Sequence, residues 1–271
     1  MQNFFENNIE TILGYKFIDT EFVVGDFRID SLAFDEEFKS FRIIEYKNRN
    51  NIDVYIKDYD YIVYNTNMDK WDDGTIKCPY DKIYYNKAFI GEGKYSKKNN
   101  PLAFQKWQGI LNRTLSNETK QKHHTYENCT ICEEWLNFQK FAEWFEKNYY
   151  EVEGQRMEID KDILYKRNKL YSPYTCIVVP HDINMLFIKH ENRRGDLPIG
   201  VYWDNYKQKF RSEMKIEGKI IKKSFKTSIE AFEWYKINKE KRIKEIADKY
   251  KNVIPNKLYI ALYKYEVEII D

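Results

Sequence analysis

Asp30, Glu45 and Lys47 are the residues whose types and spacing could do hydrolytic chemistry in this chain. They fall within Gly25 to Asn48, which reads as two apolar strands joined by an acidic hairpin around Asp35 to Glu37. Alternation along Phe41 to Lys47 predicts Ile43, Glu45 and Lys47 on one face. Two carboxylates held close by a rigid sheet repel each other unless a cation sits between them, and hard oxygen ligands suit Mg²⁺. Such an ion activates water and steadies the departing oxygen of a phosphodiester, while a lysine orients the water or offsets phosphate charge. Structurally, the same residues could equally be ordinary polar positions of a surface hairpin.

Several elements must position them. Apolar residues at Phe4, Phe5, Ile9, Ile12 and Leu13 predict an amphipathic helix ended by Gly14, with Glu10 upon it. A strand over Tyr15 to Val24 precedes the Asp30 and Glu45 strands. A tyrosine-striped helix is expected over Val54 to Tyr64, and a turn at Trp71 to Gly74 marks a first domain boundary. Further on come helices at Phe104 to Leu115 and Glu133 to Asn148, a strand at Met157 to Leu164 and a turn at Asn168 to Ser172. The last third predicts strands opening at Leu197, Lys209 and Lys219. Thr227 or Ser228 then caps a long helix, and a closing strand comes last, over Tyr259 to Ile270.

Glu10 on a first helix, G-x-x-R-I-D ending at Asp30, and I-I-E-Y-K from Ile43 to Lys47 together resemble the PD-(D/E)xK nucleases. The likeness covers about sixty residues. It implies Asp30 and Glu45 as metal ligands, Lys47 as the catalytic lysine and Glu10 as a helical carboxylate. Such enzymes often carry a glutamine on the next helix, and Lys57-Asp58-Tyr59 stands near that place without one.

Trp107 to Arg113, Cys132 to Trp144, Ile159 to Leu164, Tyr171 to Cys176 and Ile183-Asn184 resemble a phage and mobile-element family related to HNH, or ββα-metal, endonucleases. The family's Asp-His strand pair implies a metal-binding Asp160 next to a general base, yet Lys161 stands where the histidine should. This leaves two readings: a degenerate fold kept for DNA binding, or an active site using Asp160, Asp162, Asn168 and either Asn184 or His181, with Asp160, Asp162 and Asn184 as the second-choice metal site. Cys129 and Cys132 form a CxxC half-site that Cys176, Cys78, His123 or His124 could complete for zinc, or the thiols pack as small apolar groups. The order of three strands then a helix from Gly195 to Tyr250, with F-x-T-x-x-E-A-F-x-x-Y at the helix start, resembles the AP2 DNA-binding domain. In that fold the sheet enters the major groove, which implies Lys209, Arg211, Lys215, Lys222 and Lys223 as DNA contacts.

Charge is distributed to match. Residues 1–60 hold seven Lys and Arg against thirteen Asp and Glu, whereas residues 189–257 hold nineteen against ten, so an acidic head suited to cations joins a basic tail suited to phosphates. Tyrosine is abundant, at 23 residues, alongside many Asn and Lys; this is the signature of an AT-rich coding bias, so no single tyrosine is read as a base-stacking group. Four cysteines make no disulfide framework, and no signal peptide or membrane run appears, so a cytoplasmic location is expected.

The expected protein is α+β and multi-domain. A small mixed sheet of restriction-endonuclease-like type occupies 1–72, a ββα-metal-like helical middle 73–190, and a three-stranded antiparallel sheet packed on one helix, with its closing strand, 191–271. The expected function is a sequence-recognising, Mg²⁺-dependent endonuclease of double-stranded DNA, of restriction, phage or mobile-element type, acting as a homodimer on a palindromic site or by two successive nicks. The alternatives are a non-catalytic DNA-binding regulator or phage counter-defence protein on degenerate nuclease folds, and an HNH nickase using the Asp160 region.

Overall fold

The computed structural model describes residues 15–24, 27–35, 41–188, 196–216 and 219–271, with side chains from residue 41 onward except 215 and 216. Glu10 and its helix lie outside these residues. The protein is α+β and divides into two compact units, residues 1–94 and 95–271. Residues 73–94 therefore belong to the first unit.

In the first unit, β1 (Tyr15–Val24) pairs antiparallel with β2 (Phe27–Asp35). A separate antiparallel sheet has β3 (Phe41–Asn48), β4 (Asn51–Ile56) and β5 (Tyr61–Thr66) in the order of the chain. Among the described strands, then, β2 and β3 are not partners, which corrects the expected hairpin between Asp30 and Glu45. The expected helix over Val54 to Tyr64 is likewise corrected: it is two strands joined by a 3₁₀ turn at Lys57–Tyr59 and the left-handed Asp60. The physical reason is that Ile52, Val54 and Ile56 are all fully buried, a period of two that overrides the tyrosine stripe. Helix α1 (Met68–Asp72), capped by the Asn67 side chain, turns Trp71 edge-on to Phe41 over this core.

The second unit begins with helices α2 (Pro101–Leu115), α3 (Asn117–Lys122) and α4 (Phe138–Asn148). Trp107, Trp135, Phe138 and Phe141 are fully buried between them, and the Trp107 indole donates to the Trp135 carbonyl at 2.7 Å. The strand β6 (Thr130–Ile131) pairs parallel with β8 (Leu170–Tyr171). Strand β7 (Met157–Asp160) pairs antiparallel with β9 (Ile177–Pro180), which runs directly into α5 (His181–Met185), so a β-β-α unit lies at the centre. Strands β10 (Val201–Asp204), β11 (Lys209–Ile216) and β12 (Lys219–Phe225) form an antiparallel sheet in chain order. Helix α6 (Ser228–Tyr250) comes next, started by a full capping box in which Thr227 and Glu230 satisfy each other's backbone N–H.

Residues Asn256–Tyr263 form a helix, α7, where a closing strand was expected. Leu258 and Leu262, four apart and both fully buried, carry the correct period, and Pro255 starts the helix. Ile243, Ile246, Ala247 and Tyr250 of α6 share a single core with Ile163, Ile177, Val179 and Ile183 of the β-β-α unit and with these leucines. That core crosses residue 190, so the middle and tail segments are packed as one body. No helix among the described residues is long and apolar enough to cross a membrane.

Gly200 approaches α6 closely: it has φ +75°, and a Cβ there would lie 2.2 Å from the Tyr235 ring. Gly200→Ala should therefore destabilise the protein by about 2–4 kcal/mol, from left-handed strain plus overpacking. Denaturant unfolding measures it, and an unchanged midpoint would show that this approach is not a tight one.

Candidate functional site

On β3 the backbone bulges between Ile43 and Glu45, because Ile43 pairs with Val54 while Glu45 pairs with Asp53. One extra residue rotates the strand that follows by half a period, and the register shifts again between Tyr46 and Asn48, at Lys47. Ile43 stays in the core, Tyr46 packs against it, and Glu45 and Lys47 move to the solvent side. The expectation that Ile43, Glu45 and Lys47 share a face is thus corrected for Ile43. Glu45 and Lys47 do come together, 3.3 Å apart with both side chains about half exposed. Asp53, opposite Glu45, is buried and accepts the Asn65 N–H at 2.8 Å. Asp30 stands on β2, its side chain outside the described set, as is Glu10.

The end of β7 builds a richer site. A cavity of about 540 Å³ is lined by Asp160, Asp162 and Asn184, together with Arg113, Arg167 and Lys169. Asp160 Oδ1 accepts the backbone N–H groups of Asp162 (2.8 Å) and Ile163 (2.7 Å), which folds the loop back on its own carboxyl group. Burial raises this carboxyl to about 7, and the neighbouring Asp162 carboxylate adds to the shift. Lys161 is buried, its Nζ 3.1 Å from Asp162 Oδ2 and 5.9 Å from the centre of the Tyr171 ring. In that ion pair it balances acid charge inside the site and is not presented as a base.

Asn168 clamps the loop instead, donating to the carbonyls of Lys161 and Leu170 at 2.7 Å each. His181 sits beside Arg156 and Glu158 and is not among the cavity's lining residues. Sequence reasoning missed Arg113, Tyr171 and Lys169 as site residues, although Arg113 and Tyr171 each stand at an end of a recognised motif. The raised Tyr171 phenol, buried and beside the Arg113 guanidinium, marks the cavity's inner wall.

Among the described residues, no group of three or more His, Cys, Asp or Glu side chains is gathered at metal-binding spacing. Cys129, Cys132 and Cys176 are free thiols that are not brought together for zinc, nor are Cys78, His123 or His124. Burial pushes the Cys176 thiol up to about 12. These cysteines fit the small apolar packing role.

In the last sheet, Phe210, Ser212 and Met214 face α6, so Lys209, Arg211 and Glu213 face away from it. Arg211 pairs with Asp204 at 2.8 Å, and Lys222 with Glu213 at 2.9 Å, on that outward face. Tyr202 joins them, its hydroxyl 3.3 Å from Glu213. Lys215, paired in register with Ile220, occupies an outward position of the backbone. Lys223 is separated from the other four: it pairs with Ser212 on the helix side and lies over the Phe225 ring.

No family model matches the chain, and no solved structure matches it. Over 62 residues it is 44% identical to an uncharacterized protein of Haemophilus influenzae, a stretch that covers 23% of this chain and 20% of that protein.

The Asp160 carboxyl yields a pH prediction. Unfolded, it ionises near 4, and folded, near 7, so the native state binds the extra proton between these values. Its contribution to stability is fully present below about pH 4 and is lost as pH rises to 7. Asp160→Asn keeps an oxygen for the two N–H donors and removes the titration, so its unfolding midpoint should fall less than that of the wild type between pH 5 and pH 8. Identical pH profiles for the two proteins would contradict this assignment.

Proposed function

We propose that this protein binds duplex DNA through the outward face of the β10–β12 sheet. The observation that carries the reading is the sheet itself: one face is closed by α6, and the other presents Lys209, Arg211 and Lys222 around Tyr202. Three strands spaced about 4.8 Å apart span roughly 10 Å, which a major groove about 12 Å wide accommodates. Lys222, nearly half exposed, is pre-oriented by Glu213 and can exchange it for a phosphate oxygen, while the largely covered Arg211, held by Asp204, would turn outward to reach a phosphate or a guanine edge. The resemblance of this segment to AP2 domains supports the same reading.

A second reading, a Mg²⁺-dependent endonuclease cutting both strands as a homodimer, is favoured by the Asp160 cavity, where two carboxylates and an amide share one space with Arg113, Arg167 and Lys169. Asp160, Asp162 and Asn184 would hold the ion, which uses few protein oxygens and keeps several waters. When bound, the ion would activate water and offset charge on the leaving oxygen. Arg113 and Lys169 would hold the scissile phosphate in place, with Arg167 paired to Glu268, while Lys161 competes with the ion for Asp162. The rival centre is Asp30 and Glu45 with Lys47, as the PD-(D/E)xK resemblance implies.

Gel-shift titrations in EDTA should show duplex binding that weakens steeply with salt, and an Arg211→Ala/Lys222→Ala variant should lose about tenfold or more in affinity with a salt slope lower by about 1.8. Wild-type affinity in that variant would defeat the binding proposal. Plasmid incubated with Mg²⁺ resolves the second reading. Loss of cutting only in Asp160→Ala places chemistry in the cavity, and loss only in Asp30→Ala and Lys47→Ala places it in the head. An intact plasmid with the wild type removes the endonuclease reading.

A further inference from the structure

We propose that a second cleft in the 95–271 unit holds an unpaired DNA strand. It measures about 540 Å³ and lies between the Ile163 to Lys166 loop, Tyr174 and one face of α7. Lys257, Ile260, Ala261 and Lys264 line it at helical spacings of three, four and seven, so an apolar strip is flanked by two ammonium groups two turns, or about 10 Å, apart. Across the strip stand Tyr165 and Tyr174, which are 58% and 81% exposed. Among the described residues neither ring stacks on another, neither hydroxyl is hydrogen-bonded, and neither lysine is ion-paired.

The remaining charges around the cleft are largely spent. Lys166 is held by Glu268 and Asp271, at 2.9 Å each, and Arg167 by Glu268. That leaves Lys257 and Lys264 against Glu266, a net positive lining. Exposed aromatic faces between unpaired cations suit a nucleic-acid strand: rings stack on bases of any sequence, and ammonium groups track the phosphates. Duplex DNA hides its base faces within the stack, so the tyrosines select an unpaired segment. The loop that carries Tyr165 follows Asp160 and Asp162 directly, so neighbouring parts of one short segment line the cleft and the Asp160 cavity.

This inference rests on the DNA-binding reading and adds to it a preference for DNA that is locally opened. The test is fluorescence anisotropy of the full chain with a labelled 15-nucleotide oligo-dT and with a 15-base-pair duplex, across a NaCl series. Tyr165→Ala and Tyr174→Ala should each weaken oligo-dT binding about tenfold, Tyr174→Phe should retain it, and duplex affinity should not change with any of the three. Lys257→Ala/Lys264→Ala should lower the single-strand salt slope by about 1.4. Oligo-dT affinity that is absent in the wild type, or untouched by the tyrosine changes while duplex binding persists, overturns this inference alone. Failure of the wild type to bind either DNA overturns the DNA-binding reading and this inference with it.

Discussion

Helix α6 is the interaction on which the second unit depends. Its 23 residues span about 34 Å, and its two ends bury different surfaces. Near the start, Ala231 and Phe232 close the β10–β12 sheet with Val201 and Val267. Near the end, Ile243, Ile246, Ala247 and Tyr250 fill the core of the β-β-α unit, where Tyr250 also donates to Asp182 at 2.8 Å. Each of the isoleucine and phenylalanine side chains among them contributes about 1.5–3 kcal/mol when fully buried. One rod therefore fixes the outward sheet face and the Asp160 cavity in a common frame. Two modules joined by a flexible linker would lack that pre-organisation.

Charge pairing sets what each surface offers. In the Asp160 loop the charges are turned inward: Asp160 folds onto its own backbone and Lys161 neutralises Asp162. The C-terminal segment treats Lys166 and Arg167 in the same way, and Lys166 also donates to the Glu266 carbonyl at 2.7 Å. An ammonium buried between acids does part of the charge balancing that a divalent ion does in a metal centre. In the cavity, Lys161 supplies that balance for Asp162. The sheet face is organised differently: Lys222 and Glu213 form a nearly half-exposed pair, whereas Arg211 and Asp204 form a largely covered one.

Much of this was legible in the sequence where local signals were strong. The capping box at Thr227 and the three strands before it could be read directly, because capping and period-two alternation act within a few residues. The aromatic helices were equally clear from the spacing of Trp107, Phe138, Phe141 and Trp144. Errors arose where two periods competed. Tyrosines at 55, 59 and 61 mimic a helix, but Ile52, Val54 and Ile56 decide for strands. Residues 259–270 alternate like a strand, yet Leu258 and Leu262 dock at helical spacing. Two register shifts along β3, invisible in composition, moved Glu45 and Lys47 from the face of Ile43.

By itself, the sequence determined the α+β class, the motif residues around Asp160 and the basic strands, because these depend on side-chain type and short-range periodicity. Tertiary structure alone decided which charges are available. Lys161 became an internal counter-ion, Lys223 was turned to the helix side of its sheet, and Tyr165 and Tyr174 were left exposed beside Lys257 and Lys264. An ionisable or aromatic side chain acts according to its neighbours and its contact with water, and those neighbours come from segments up to about a hundred residues away, as with Lys166 and Glu268.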